Sequence, residues 1–345
     1  MSRGCPEVNS FSSALIGVTA LSVAHSLAGA DERAAPIRFQ AHWPVGLTVP
    51  CPASFDLPEL PPPGQTLGLF ALNGDQAIPV PCQPDPIEAR RVWYIAIPPA
   101  AGTTQDYEVR PGGFPAAAVV VAAADETTLH LTLAGKPVLA YRYAPMPPPE
   151  GTSPLFVRSA FVHPVYSPEG EVLTAIHPAD HTHHVGLWNP WTSTEFEGRH
   201  VDFWNLAAGE GTVRFVAFET VTSGPVFGGF RAVQHHVDLK APGGEKVVLE
   251  EIFDVRLWNV PAASFVVDVT STQRCASDSP LLLNAYRYGG LGFRGRLGWN
   301  TGNSDYLSSE GKTRLDGHAS RARWCHAYGD TPAGGAGILF MSHPQ

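Results

Sequence analysis

Between His177 and Leu206 the sequence reads HPADHTHHVGLWNPWTSTEFEGRHVDFWNL, which sets His177, His181, His183, His184 and His200 among Trp188, Trp191 and Trp204. An imidazole titrates near neutrality and can take or give a proton at a sugar hydroxyl or ring oxygen. His181, His183 and His184 are therefore read as catalytic candidates, with Glu195 and Asp202 as partner carboxylates. Trp188 and Trp191 offer flat apolar faces on which the C–H face of a pyranose ring can stack. Together with Asp180, His163 and Arg294 they form the candidate substrate-binding set.

Two other readings use the same residues. If 177–188 is a strand, its period of two places His181 and His183 on one face and His184 on the other. An H-x-H pair on one face can give two ligands to Zn, Fe or Mn. A cupin-like site would want a glutamate a few residues on, whereas Glu195 stands twelve residues past His183. No cofactor is expected on this pattern, and a divalent metal is the alternative. The plain structural reading is that the tryptophans are core and the histidines happen to sit beside them. It fits the indoles better than the imidazoles, because burying three imidazoles beside an aspartate requires several satisfied hydrogen bonds.

Elsewhere the candidates thin out. His163, in FVHPVYSPEG, stands at a strand end before a proline, and His235 and His236 of QHHVD fall inside a hairpin, where they face opposite ways. YRYGGLGFRG (286–295) is rich in glycine but opens no helix and has no phosphate-loop lysine, which argues against a nucleotide site. Arg294 within it can hold an anionic or hydroxyl-rich substrate. No G-x-S-x-G elbow occurs.

The elements that must position these residues are strands. Proline (33) and glycine (34) are spread along the 345 residues and break the chain into short β-rich segments, and no window outside the N-terminus has a helical period. The class is all-β: a large antiparallel β-sandwich over 126–345 with a smaller sandwich-like unit over 37–114. FRAVQHHVDL, the turn APGG and KVVLEEIFDVRLW read as one antiparallel hairpin. The formal charge of −9 and the absence of Lys/Arg clusters argue against nucleic acid as partner. Residues 1–30 read as a cleaved export signal ending in AGA, which implies a secreted or periplasmic protein with no membrane association afterwards. Cys5 leaves with that segment. Cys51, Cys82, Cys275 and Cys325 then either pair, most locally as 51–82 and 275–325, or stay free thiols.

FVHPVYSPEGEVLT, PADHTHHVGLW, VDFWN and YGGLGFRG, in that order, resemble a bacterial family catalogued as "methane oxygenase PmoA". The resemblance covers roughly 130–345, and DHxHHxGLW, here Asp180 to Trp188, is its most specific element. Val185 departs from it, since the family usually has a basic residue or histidine there, which puts any substrate contact at that position in doubt. The family's pattern also continues past the His343–Pro344 at which this chain nearly ends, so the large domain is expected to be incomplete. A true methane monooxygenase subunit spans the membrane with helices, and no segment after the leader is apolar enough for that. The resemblance instead implies a mutarotase-like sandwich among proteins that act on complex plant or algal glycans. The expected function is an exported carbohydrate-active protein with histidine-led acid–base chemistry of lyase, hydrolase or epimerase type. The alternatives are a non-catalytic glycan-binding module and the metal-dependent oxygenase that the family label implies.

Overall fold

A computed structural model describes Val18–Thr19 and residues 36–44, 46–99, 104–112 and 116–342. The segment 1–30, expected to be an export signal, lies outside the described residues except for Val18 and Thr19, which pair with Ala41 and Gln40. The class is all-β and antiparallel throughout, with a single three-residue 3₁₀ turn, Pro154–Phe156, as its only helical element among the described residues. None of the described helices is long and apolar enough to cross a membrane.

The N-terminal part packs a five-stranded sheet against the three strands Cys51–Asp56, Arg91–Ala96 and Cys82–Pro84. Phe39, Phe55, Tyr94 and Tyr107 meet between the two sheets with ring centroids 4.7–6.2 Å apart. Neither of the expected local pairings, Cys51 with Cys82 or Cys275 with Cys325, is formed.

The larger part is a sandwich. Its back is a sheet of four long strands, Gly211–Thr222, Phe227–Asp238, Lys246–Trp258 and Val266–Cys275. The expected hairpin forms its centre, with register running from Phe227 opposite Trp258 to Asp238 opposite Lys246. Its front is a six-stranded sheet in the order 292–293, 187–188, 161–165, 136–142, 128–133, 120–124. Alternation sends Leu129, Leu131, Tyr141, Val162 and Leu187 of the front sheet inward to meet Phe230, Phe253, Val255 and Leu257 of the back one.

Polar side chains are buried in this interior, among them Gln234, whose Nε2 donates to the Tyr141 hydroxyl at 3.0 Å. His236 Nε2 donates to Glu251 Oε2 at 2.8 Å with both side chains fully buried, and Glu251 Oε1 accepts from Asn189 and Ser271. His235, its neighbour, points the other way towards Glu250 at 3.9 Å. The two parts of the chain meet at a second apolar cluster of Trp93, Val226, Phe227, Trp258 and Val260. A buried carboxylate pins that junction: Asp85 accepts from Trp93 Nε1 at 2.8 Å and from Arg256 Nη1 at 2.7 Å.

The candidate functional site

The histidine cluster and its immediate neighbours gather on the outer face of the front sheet. Val162 and Leu187 pair and point into the main core, so the neighbouring Phe161 and Trp188 project from the opposite face. There they form a separate cluster with Val185 and Trp204. Two glycines make this packing possible. A Cβ on Gly292 would stand 2.6 Å from Trp204 and 3.1 Å from Trp188, and one on Gly186 would stand 2.0 Å from the Val162 carbonyl.

Over this floor runs a loop, not a strand. An antiparallel bridge between Ile176 and Val185 closes it, and the backbone within makes two successive turns, His181 N to Pro178 O and His184 N to His181 O. His177 starts the loop with φ +47°, its N–H bonded to His184 O at 2.8 Å. The alternation expected of a strand therefore fails: His183 and His184 do not face apart. The rings of His181 and His184 stack at 4.6 Å, His183 meets His184 edge-on at 4.5 Å, and His181 and His183 are 5.7 Å apart.

A neighbouring strand fixes the rim. Pairing of Leu187 with Phe293 brings Arg294 beside Gly186, whose carbonyl accepts from Arg294 N at 2.8 Å. The Arg294 guanidinium then reaches across the loop to grip both oxygens of Asp180, at 2.9 and 3.2 Å. Asp180 Oδ2 also accepts from His181 Nδ1 at 2.9 Å. These bonds to His181 and Arg294 hold the Asp180 carboxyl down at about 2, so it is ionised at neutral pH and His181 Nδ1 must be the donor. His181 thereby presents Nε2 as an acceptor on a half-exposed side chain. An oriented imidazole with a free acceptor is the arrangement of a general base.

The other imidazoles are kept neutral. Burial, helped by the Arg158 guanidinium and the neighbouring His181, lowers His183 to about 4. Burial and the neighbouring His183 and His181 lower His184 to about 3. His163 projects on the same side of the sheet as Phe161, with Nδ1 2.9 Å from the Thr174 hydroxyl; burial and Arg142 bring it to about 4. At neutral pH all three accept or share protons but do not deliver them as cations. Arg158, which no sequence pattern marks, is 3% exposed beneath the loop. Its Nη2 donates to Phe203 O at 2.8 Å and its Nη1 reaches His183 O at 3.5 Å, tying the histidine loop to the 202–206 turn.

Several expected roles do not survive. Trp188 and Trp204 are 4% and 7% exposed, so neither is a stacking platform; they are the floor beneath His184, whose ring lies 5.2 Å from Trp188. Trp191 is half-buried, seated against Gly289 and Gly290 with Nε1 bonded to Gln273 at 2.7 Å. Val185 is fully buried in the same floor and has no surface to offer a substrate. Glu195 stands exposed on Thr194–Phe196 in a separate three-stranded sheet, opposite His200 and Leu282, and is not brought to the imidazoles. Asp202 lies within electrostatic reach of Arg158 and His183. Its oxygens, however, cap the 202–205 turn, accepting from Trp204 N, Asn205 N and the Asn205 side chain. Four buried polar atoms around the site, His177 Nε2, His184 Nδ1, Trp188 Nε1 and Arg158 Nε, have no protein partner among the described residues.

For metal binding, no group of three or more His, Cys, Asp or Glu is suitably arranged among the described residues. An open depression of about 650 Å³ lies elsewhere, lined by Asn303, Asp305, His326, Tyr328 and Asp330. It contains none of the candidate residues.

A family model described as "Family of unknown function (DUF6807)" matches residues 128–345, a span that includes the whole of this site. No curated protein and no solved structure matches the chain.

Proposed function

Since the chain belongs to this family of unknown function (DUF6807), its activity has to be read from the site itself, and we propose that it is an exported carbohydrate-active enzyme led by a histidine base. The observation that carries the reading is the Arg294–Asp180–His181 series. A carboxylate clamped by a bidentate arginine orients one imidazole, and two neutral imidazoles stand within 5.7 Å of it. His181 takes the proton from a sugar hydroxyl or ring carbon, and His183 and His184 bind the hydroxyls beside it. The apolar leader at 1–30 supports export. The oxygenase reading has less support, since no three-ligand set gathers at the loop. The binding-module reading loses its tryptophan platforms to the core.

The test is an oligosaccharide turnover screen with the full chain, followed by His181→Ala and His183→Ala on whichever substrate is found. Loss of at least ~100-fold in turnover with little change in glycan affinity is expected for His181→Ala. Indifference of both turnover and binding to His181 and His183 would sink the proposal.

A further inference from the structure

Burial of Trp188 and Trp204 raises the question of what a glycan would rest on beyond the imidazoles. The aromatic contacts continue outward from the floor. Trp188 meets Trp204 at 4.7 Å, Trp204 meets Tyr288 at 5.3 Å, and Tyr288 meets Tyr286 edge-on at 5.0 Å. The series therefore runs unbroken from His184 to Tyr286, which is 52% exposed. Between the two tyrosines in sequence stands Arg287, its guanidinium 5.9 Å from the Tyr286 ring centre and 5.5 Å from that of Tyr288.

Arg287 is exposed and makes no hydrogen bond or ion pair among the described residues. Arg294, seven positions on, is by contrast committed to Asp180. A guanidinium held against aromatic rings keeps its planar fork of donors free for a carboxylate or sulfate. The segment that carries it is anchored on both sides. Asn284 N donates to Ser193 O at 3.0 Å, Gly290 N donates to Pro190 O at 2.8 Å, and Gly289 rests against the Trp191 indole. Gly289 and Gly290 both have positive φ, at 158° and 78°, which lets the backbone lie flat on that ring.

We propose that Tyr286, Arg287 and Tyr288 form a sugar-binding subsite for a ring bearing an anionic group, in an oligosaccharide whose adjoining unit reaches the imidazoles. It rests on the reading of the protein as carbohydrate-active and names the substrate class: acidic glycans. The exposed tyrosine face stacks on the sugar ring, and Arg287 takes the anion.

Calorimetric titration of the full chain with polygalacturonate, a sulfated galactan and a neutral galactan tests this, the first two probes separating a carboxylate from a sulfate as the anion. At least one acidic polymer is expected to bind more tightly than the neutral one, with affinity falling as salt is raised. Arg287→Gln should weaken that binding at least ~10-fold, and Tyr286→Ala by a similar factor, each 10-fold being ~1.4 kcal/mol. Both side chains are exposed, so unchanged melting of the variants is expected and confirms that they fold. Binding of neither acidic polymer, equal binding of the neutral one, or indifference to both substitutions overturns the subsite. His181→Ala should leave this binding intact. A protein that binds acidic glycan through Arg287 yet turns nothing over refutes the catalytic proposal and leaves the subsite standing.

Discussion

Acid should unfold this protein through its histidines, well before its carboxylates are affected. In the unfolded chain His163, His183 and His184 take up protons near 6.5, whereas folding lowers them to about 4, 4 and 3. Between those values the unfolded state binds more protons than the folded one, so stability present at pH 7 is lost as pH falls through 6.5 and the loss levels off near 4. One such proton changes stability by about 1.4 kcal/mol per pH unit. From pH 6.5 to 4.5 each ring then contributes a loss of about 2 kcal/mol, or roughly 6 for three. The rings are only partly buried, and halving for solvent screening leaves about 3 kcal/mol. Carboxylates act in a different window. Asp180 and Glu251, both held low, begin to matter as pH falls through the ordinary carboxylate range and continue to do so below it. Asp254, pushed up by burial, works in the opposite sense, but it is a single group. Urea unfolding at half-unit steps from pH 7 to 4.5 measures the total, and histidine NMR titration assigns it. A His183→Gln/His184→Gln variant should lose about two thirds of the pH dependence. Stability that stays flat over this range, or three imidazoles titrating near 6.5 in the folded protein, would refute the account of a desolvated imidazole cluster.

Two further outcomes test the framework around the site. Gly186→Ala places a methyl group 2.0 Å from the Val162 carbonyl at a residue with φ +44°, so a loss of about 4 kcal/mol or more is expected. Thermal melting gives its size, and changed emission from Trp188 and Trp204 should report the displaced floor. Asp85→Ala strands Arg256 and the Trp93 indole N–H at the junction of the two sandwiches, which should cost about 3–5 kcal/mol. A melt that splits into two transitions would place the damage at that junction, and an unchanged melt would deny Asp85 its pinning role.

The strands were legible because their signal is local. KVVLEEIFDVRLW alternates and follows a turn, and it forms the centre of the back sheet in the expected register. The histidine loop was legible in composition but not in geometry. HPADHTHH holds a proline, two turns and few β-formers, so His181, His183 and His184 converge through loop closure at the Ile176–Val185 bridge. Period-two reasoning has no purchase on such a segment. Whether an indole is floor or platform depends on what packs over it. For Trp188 that is decided by Gly292, more than a hundred residues along the chain. Arg158 carried no signal at all, being a lone arginine in GTSPLFVRSAF whose role comes from carbonyls at 183, 203 and 204. Tyr286, Arg287 and Tyr288 lie within YRYGGLGFRG, but nothing local in that segment marks its rings as the continuation of the aromatic series from Trp188 and Trp204.

Neutral imidazoles also bear on which reaction the proposed enzyme performs. Hydrolysis of a glycosidic bond ordinarily needs a protonated carboxyl to deliver a proton to the leaving oxygen and a second carboxylate on the other face of the sugar. None of the three candidate carboxylates fills either role: Asp180 is ionised and clamped by Arg294, Asp202 spends its oxygens on a turn, and Glu195 sits on another sheet. His183 and His184 cannot serve as acids near pH 7 when they hold protons only below about 4 and 3. What the loop does offer is a base, His181, with neutral hydrogen-bonding rings beside it. Removal of a proton from a sugar carbon is the step such a site favours, and it is the shared first step of β-elimination and epimerisation. An acidic sugar fits that step as well, because a carboxyl group next to the reacting carbon acidifies its C–H and delocalises the charge left when His181 takes the proton. In the proposed arrangement the guanidinium of Arg287 recognises the acidic character of the chain at one end of the aromatic series, and His181 removes the proton at the other.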